Sequence, residues 1–207
     1  MKLETMVEEL IQIEAIANKV ADYKKRFIES TGVGLTISDA DFLGVILMTP
    51  AVAIAMADGK LTFFEMRYIS KKAREYSKGR YFPFRDPVAN GAKVLAKNLV
   101  QWEKPFMAFV KEILNSLNED KELVDEMNAV AQSAGGLSTA ANLGLFVANM
   151  YLFGLLGAFF VAWILGPIRA GRTAISQAEK NKIVLVAEEL GIRENFNFQE
   201  LEKYLES

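Results

Sequence analysis

The sequence predicts an all-α protein, and three observations support this prediction. Apolar residues recur at three- and four-residue steps over most of the chain, which is the spacing of one face of a helix. Several of these stretches begin with a side chain that can cap a helix. No stretch alternates between apolar and polar residues for long enough to predict a strand. The 207 residues are therefore expected to form a single helical domain, 1–207, of about seven to nine helices.

Composition excludes several classes of function. The chain has 24 Lys and Arg against 26 Asp and Glu, a net charge of −2, which argues against a nucleic-acid partner. It has no Cys and no His, so thiolate and imidazole sites are absent and a metal would need oxygen ligands, as Ca²⁺ or Mg²⁺ does. No nucleophile elbow, P-loop or dinucleotide fingerprint is present. We expect a protein that is not an enzyme.

The N-terminal region, 1–34, predicts one amphipathic helix that ends at the glycines of 31–34. Charges run throughout it, so it does not resemble a secretory signal. Its expected apolar stripe consists of Leu3, Met6, Val7, Leu10, Ile13, Ala17, Val20, Phe27 and Ile28.

The next region begins with a helix start at Ser38, where acidic residues follow in the first turn. Residues 42–57 then carry no charge, and we expect Pro50 to kink this apolar helix. Residues 81–87 predict a loop. Amphipathic helices are expected over 88–133, with an apolar face of Leu95, Leu99, Trp102, Phe106, Phe109, Val110, Ile113, Leu114 and Leu117.

Two stretches, 37–80 and 172–207, share one pattern: a capped amphipathic helix that follows an apolar one. Thr62 with Glu65, and Ser176 with Glu179, both form the sequence of a capping box. The second helix is expected to end at Gly191, a usual place for a left-handed residue. A last short helix is expected after Asn197. The pattern predicts a bundle with an internal pseudo-twofold repeat.

These repeats resemble the tellurite-resistance TerB-like family. The resemblance lies in residues 55–65 (AMADGKLTFFE), 175–179 (ISQAE) and 186–192 (VAEELGI). It implies a pseudo-symmetric helical bundle, an acidic metal-binding patch, and a role in stress response or as a scaffold at the membrane. The second repeat departs from the family because Arg172-Thr173 stands where Asp58-Gly59 stands in the first, and a guanidinium repels a cation. The candidate ligands for Ca²⁺ or Mg²⁺ are Asp58, Glu65, Asp39 and Asp41.

A basic and aromatic segment, 71–85, is a candidate contact for lipid headgroups or for an acidic partner, because cations pair with phosphate and aromatic rings favour the membrane interface. The alternative is a solvated helix face and loop. Its cations are Lys71, Lys72, Arg74, Lys78, Arg80 and Arg85, and its aromatic residues are Tyr76, Tyr81, Phe82 and Phe84.

Residues 143–166 are 24 in number and carry no charge. A helix of this length reaches about 36 Å, enough for the ~30 Å hydrocarbon layer of a bilayer. Tyr151 and Trp163 lie toward its ends, and Arg169 and Arg172 follow it, which would place the C-terminal side in the cytoplasm. The alternative is a buried core helix, which is also apolar all round.

Two functions are therefore expected. The first is a membrane-associated structural or assembly protein of the inner or plasma membrane, with lipid and a protein partner or a second copy as its contacts. The alternative is a soluble cytoplasmic TerB-like stress protein that binds a divalent cation near Asp58 and Glu65.

Overall fold

A computed structural model of the chain describes residues 3–77, 81–82, 85–119, 176–191 and 193. All regular structure in these ranges is α-helical, which confirms the predicted fold class. The chain divides into two compact units, Met1–Met107 and Ala108–Ser207. The helices are α1 (Leu3–Leu10), α2 (Glu14–Thr31), α3 (Asp39–Leu47), α4 (Thr49–Ala55), α5 (Phe63–Tyr76), α6 (Pro87–Lys97), α7 (Leu99–Glu119) and α8 (Gln177–Leu190).

The core of the first unit is the apolar pair α3 and α4. Every residue from 41 to 55 is buried, because α3 packs against α1, α2, α5 and α6 while α4 packs against α5 and α6. A cluster of aromatic rings packs at one side of this core: the ring centroid of Phe27 lies 5.4 Å from that of Phe42 and 5.3 Å from that of Trp102. Residues 42–55 of the first uncharged stretch are thus enclosed by the protein's own helices.

Pro50 divides the apolar stretch into two helices, where a kink in one helix was expected. Helix α3 ends at Leu47 and α4 begins at Thr49, with the proline in its first turn. Proline has no N–H to donate to the carbonyl of Ile46, and its ring crowds that carbonyl. The helix therefore stops and restarts.

The N-terminal region also forms two helices, so the prediction of one helix over 1–34 is wrong. Ile13 is extended, with φ −74° and ψ 112°, and its side chain is 47 % exposed although it belongs to the expected stripe. Leu10 and Ile16 are both buried, yet a continuous helix would place them about 120° apart. The break lets both side chains enter the core. The helix end at Gly32, which has φ 62°, was predicted correctly.

Helices α3 and α6 approach each other closely at Gly91. A Cβ atom at this position would overlap Cγ2 of Val45. Because glycine costs stability in the interior of a helix, its presence here is explained by the space that Val45 occupies.

The expected apolar face of 88–133 is confirmed for eight of its nine side chains, which are buried; the side chain of Leu117 lies outside those described, as do residues 120–133. In the second unit, α8 buries Ile183, Val186, Ala187 and Leu190. It ends at Gly191 with φ 73°, as predicted.

Over the described residues, no helix combines the length and the apolarity needed to cross a membrane. The 143–166 run lies outside them, so the membrane-length helix stays a prediction. The short helix expected after Asn197 also lies outside them.

Candidate interaction surface

The start of α5 is fixed by the predicted capping box. The Thr62 N–H donates to Oε2 of Glu65 at 2.6 Å, and the Glu65 N–H donates to Oγ1 of Thr62 at 3.3 Å. These bonds satisfy two N–H groups that a helix start otherwise leaves open. They also place Phe63 at the first helical position, where the residue is 74 % exposed.

Helix α8 begins in the same way. The Ser176 N–H donates to Oε2 of Glu179 at 2.7 Å, and the Glu179 N–H donates to Oγ of Ser176 at 3.2 Å. Both α5 and α8 have 14 residues. The capped helix of each sequence repeat is therefore confirmed, while the pseudo-twofold relation between the repeats stays a prediction.

The outward face of α5 carries Phe63, Arg67 and Lys71, all exposed. Residues four apart lie on one side of a helix, so these three form a row, while Ile69 and Ala73 are buried on the other side. Among the described residues, neither Arg67 nor Lys71 has an acidic partner. Two cations on this row are thus available to an external anion.

Lys72 and Arg74, both predicted to contact lipid or a partner, already bond within the protein. Nζ of Lys72 donates to the Glu75 carboxylate at 2.9 and 3.1 Å. Nη2 of Arg74 donates to the carbonyl of Tyr81 at 3.5 Å. Arg74 lies one turn beyond Lys71, so this bond brings the following loop to the end of the cationic row.

The loop after α5 presents Tyr81, Phe82 and Arg85, all exposed; Tyr81 is 39 % and Phe82 is 71 % exposed. The Arg85 N–H donates to the carbonyl of Phe82 at 2.8 Å, which closes a turn. Asp86 then caps α6, because its Oδ1 accepts from the Ala89 N–H at 2.9 Å. The predicted loop over 81–87 is confirmed at residues 81, 82, 85 and 86, while Pro87 is the first residue of α6. We define the α5 surface as Phe63, Arg67, Lys71, Tyr81, Phe82 and Arg85.

Tyr76 does not belong to this surface, which corrects the sequence interpretation. It is 3 % exposed at the end of α5. Burial, and to a lesser extent the negative charge of Glu75, raise the pKa of its phenol. Tyr76 lies three residues after Ala73, on the buried side of the helix. The aromatic composition of 71–85 does not indicate which of its rings face the solvent and which face the core.

The four predicted metal ligands are each engaged by neighbouring groups. Oδ1 of Asp58 accepts from the Lys60 N–H at 3.0 Å, and Glu65 forms the cap described above. Asp39 forms an ion pair with Lys24. Asp41 is 5 % exposed and accepts from Oγ of Ser38 at 2.7 Å.

Within the described ranges, no three acidic side chains come together as a metal site requires. Turn and cap bonds engage Asp58, Glu65 and Asp41, and an ion pair engages Asp39. The Ca²⁺ or Mg²⁺ site stays a prediction. The remaining residues predicted to contact lipid or a partner lie outside the described residues: Lys78, Arg80, Phe84, Tyr151, Trp163, Arg169 and Arg172.

Sequence reasoning missed Phe63 and Arg67 as surface residues. Phe63 entered the sequence analysis only as part of the TerB-like stretch 55–65. The signal that could have found them is the four-residue step from Phe63 through Arg67 to Lys71, once the capping box fixes where the helix begins.

No protein-family model, curated protein or solved structure matches this chain. The TerB-like resemblance therefore depends on the residues of the two repeats.

Proposed function

We propose that this protein is a non-enzymatic, membrane-associated helical protein that acts as a structural, assembly or interaction component, anchored by residues 143–166. A protein partner or a second copy of the chain would be assembled at the membrane. The C-terminal side would lie in the cytoplasm, at an inner or plasma membrane.

The contrast between the two apolar runs supports this proposal. The first is interrupted by Pro50 and forms helices of 9 and 7 residues, about 14 and 10 Å long and too short for a bilayer. The first unit buries residues 42–55 of this run. The second run has 24 uncharged residues without a proline, and runs above about 18 residues are typical of spans.

A second candidate is a soluble cytoplasmic TerB-like protein of the tellurite-resistance type that binds a divalent cation. The first apolar run, 42–57, favours this candidate. Helices α3 and α4, which contain most of that run, are enclosed by other helices of the chain, so an apolar run of this protein can be buried without a membrane. In that case 143–166 would be a second buried core helix.

Membrane fractionation separates the two candidates. The anchored protein should sediment with membranes, resist an alkaline wash and be released by detergent. Leu155→Arg should reduce membrane recovery, because a charge at the centre of a span costs about 2.5–3.5 kcal/mol. Leu185→Arg is the matched control, since Leu185 is 57 % exposed on α8. Full recovery of the unaltered protein without detergent would contradict the anchor and favour the second candidate.

A further inference from the structure

Charge is unevenly distributed along the chain. Residues 58–86 contain eight Lys or Arg and four Asp or Glu, a net charge of +4, while the whole chain carries −2 and the remainder therefore −6. Of the four acidic residues, Asp86 is fully buried and Glu75 is paired with Lys72. Burial removes the Asp86 carboxylate from the surface, whereas the ion pair cancels one charge of each sign and leaves the net charge of the segment unchanged.

The α5 surface combines that charge with exposed rings. Phe63 begins the row, Arg67 and Lys71 continue it, and the loop that Arg74 holds at its end carries Phe82. From residue 63 to residue 71 the row extends about 12 Å along the helix. Two largely exposed phenylalanines near the ends of a cationic row match the headgroup zone of a bilayer, where phosphates take the cations and rings enter the acyl boundary.

We propose that the α5 surface docks on an anionic lipid bilayer. The inference rests on the proposed membrane association and adds a second contact, made by the first unit and separate from residues 143–166. Arg67 and Lys71 pair with lipid phosphates, while Phe63 and Phe82 enter the interface. Charge complementarity selects this occupant: polar, negatively charged headgroups fit a segment of net charge +4 in an otherwise acidic chain.

Such docking depends on salt and on lipid charge. Each Lys or Arg near an anionic surface contributes about fivefold to binding, and the attraction falls off over about 10 Å at 0.1 M salt and about 3 Å at 1 M. The chain has no Cys, so a single introduced thiol can carry an environment-sensitive fluorophore in the full-length protein. Phe82→Cys reports on the α5 surface, with an apolar fluorophore on the thiol in place of the phenyl ring. Val100→Cys is the control, because Val100 is fully exposed on α7, outside that surface.

The labelled proteins are titrated with vesicles of phosphatidylcholine alone and with vesicles that also contain phosphatidylserine. We expect a blue shift of the label at position 82 only with the anionic vesicles, reversed by about 1 M salt, and no shift at position 100. The absence of a shift at position 82, an equal shift with neutral vesicles, or an equal shift at position 100 would overturn the proposal. Binding of an acidic peptide such as polyglutamate without a response to anionic vesicles would assign the surface to a protein partner instead.

Substitution of the two cations on α5 provides a second test of the proposal. Arg67→Gln with Lys71→Gln should weaken vesicle binding by about 25-fold, and Gln is a good helix former. Lys97→Gln with Lys104→Gln removes the same charge from exposed positions on α6 and α7 and should leave the shift at position 82 nearly unchanged. Equal losses for the two pairs would overturn the assignment to α5.

The two membrane contacts can fail separately. A salt-sensitive shift from a protein that is lost in the alkaline wash leaves the docking surface in place and removes the anchor. Retention after the wash without any shift at position 82 supports the anchor and removes the docking surface.

Discussion

The hydroxyl of Ser77 donates a hydrogen bond to the carboxylate of Asp86, nine residues further along the chain, and neither side chain is exposed. The other oxygen of the same carboxylate accepts from the Ala89 N–H and caps α6. One buried side chain therefore joins the end of α5 to the start of α6, two helices that pack against each other. It also fixes both ends of the loop that carries Tyr81 and Phe82.

Removal of this carboxylate should be costly. Asp86→Ala removes a helix cap, which is worth about 0.5–2 kcal/mol. It also removes the hydrogen bond from the Ser77 hydroxyl to a carboxylate, worth about 1.5–3 kcal/mol, and leaves that hydroxyl the Arg74 carbonyl, 3.3 Å away, as an acceptor. We expect the free energy of unfolding, measured in urea, to fall by about 2–4 kcal/mol. Thr62→Ala removes an exposed cap and should cost about 1 kcal/mol. Equal losses for the two variants would show that burial adds nothing to the role of Asp86.

The contact between Gly91 and Val45 predicts a steric coupling between α6 and α3. Gly91→Ala adds a methyl group where Cγ2 of Val45 already lies, and overpacking of this kind costs about 1–3 kcal/mol. In a Val45→Ala background the added methyl has space, so the same substitution should become neutral or stabilising by up to about 1 kcal/mol, since Ala favours a helix. A double-mutant cycle measures this difference. Additive effects would contradict the contact.

Local features of the fold could be predicted from the sequence. The caps at Ser38, Thr62 and Ser176 and the left-handed stop at Gly191 depend on residues within four positions of one another. The buried face from Leu95 onward follows from helical periodicity in the same way. Such features can be predicted without knowing which distant residues pack against them.

Features that depend on distant residues could not be predicted. The break at Ile13 exists because α1 and α2 both bury side chains in the first unit, and the burial of Tyr76 depends on helices elsewhere in the chain. The same holds for the hydrogen bond between Ser77 and Asp86, which forms only because the loop between α5 and α6 brings the two side chains together. At the α5 surface the cations of 71–85 were found from composition, but Phe63 and Arg67 required the helix start and the exposed face to be known together.

The raised pKa of Tyr76 predicts a loss of stability in alkali. The folded protein holds the phenol proton to a higher pH than the unfolded chain does, where the pKa is about 10. The contribution of this group is therefore complete below pH ~10 and is lost as the pH rises above it, by up to about 1.4 kcal/mol per pH unit. Urea unfolding at a series of pH values should show a steeper alkaline decline for the unaltered protein than for Tyr76→Phe. Tyr81→Phe, at an exposed position, should decline like the unaltered protein.

The two capping boxes provide a matched test of the cation hypothesis. Glu65 and Glu179 make the same cap bonds, but Asp58-Gly59 precedes the first and Arg172-Thr173 the second. Capping alone predicts that Glu65→Ala and Glu179→Ala each cost about 1 kcal/mol, with no dependence on Ca²⁺ or Mg²⁺.

A divalent cation at Asp58 and Glu65 would instead raise the melting temperature of the unaltered protein. That rise would disappear in Glu65→Ala and in Asp58→Asn while persisting in Glu179→Ala, because only the first repeat has an acidic residue beside its cap. Thermal melts of the four proteins in chelator and in millimolar Ca²⁺ decide between the two, and an equal response in all four would exclude the site at Asp58 and Glu65.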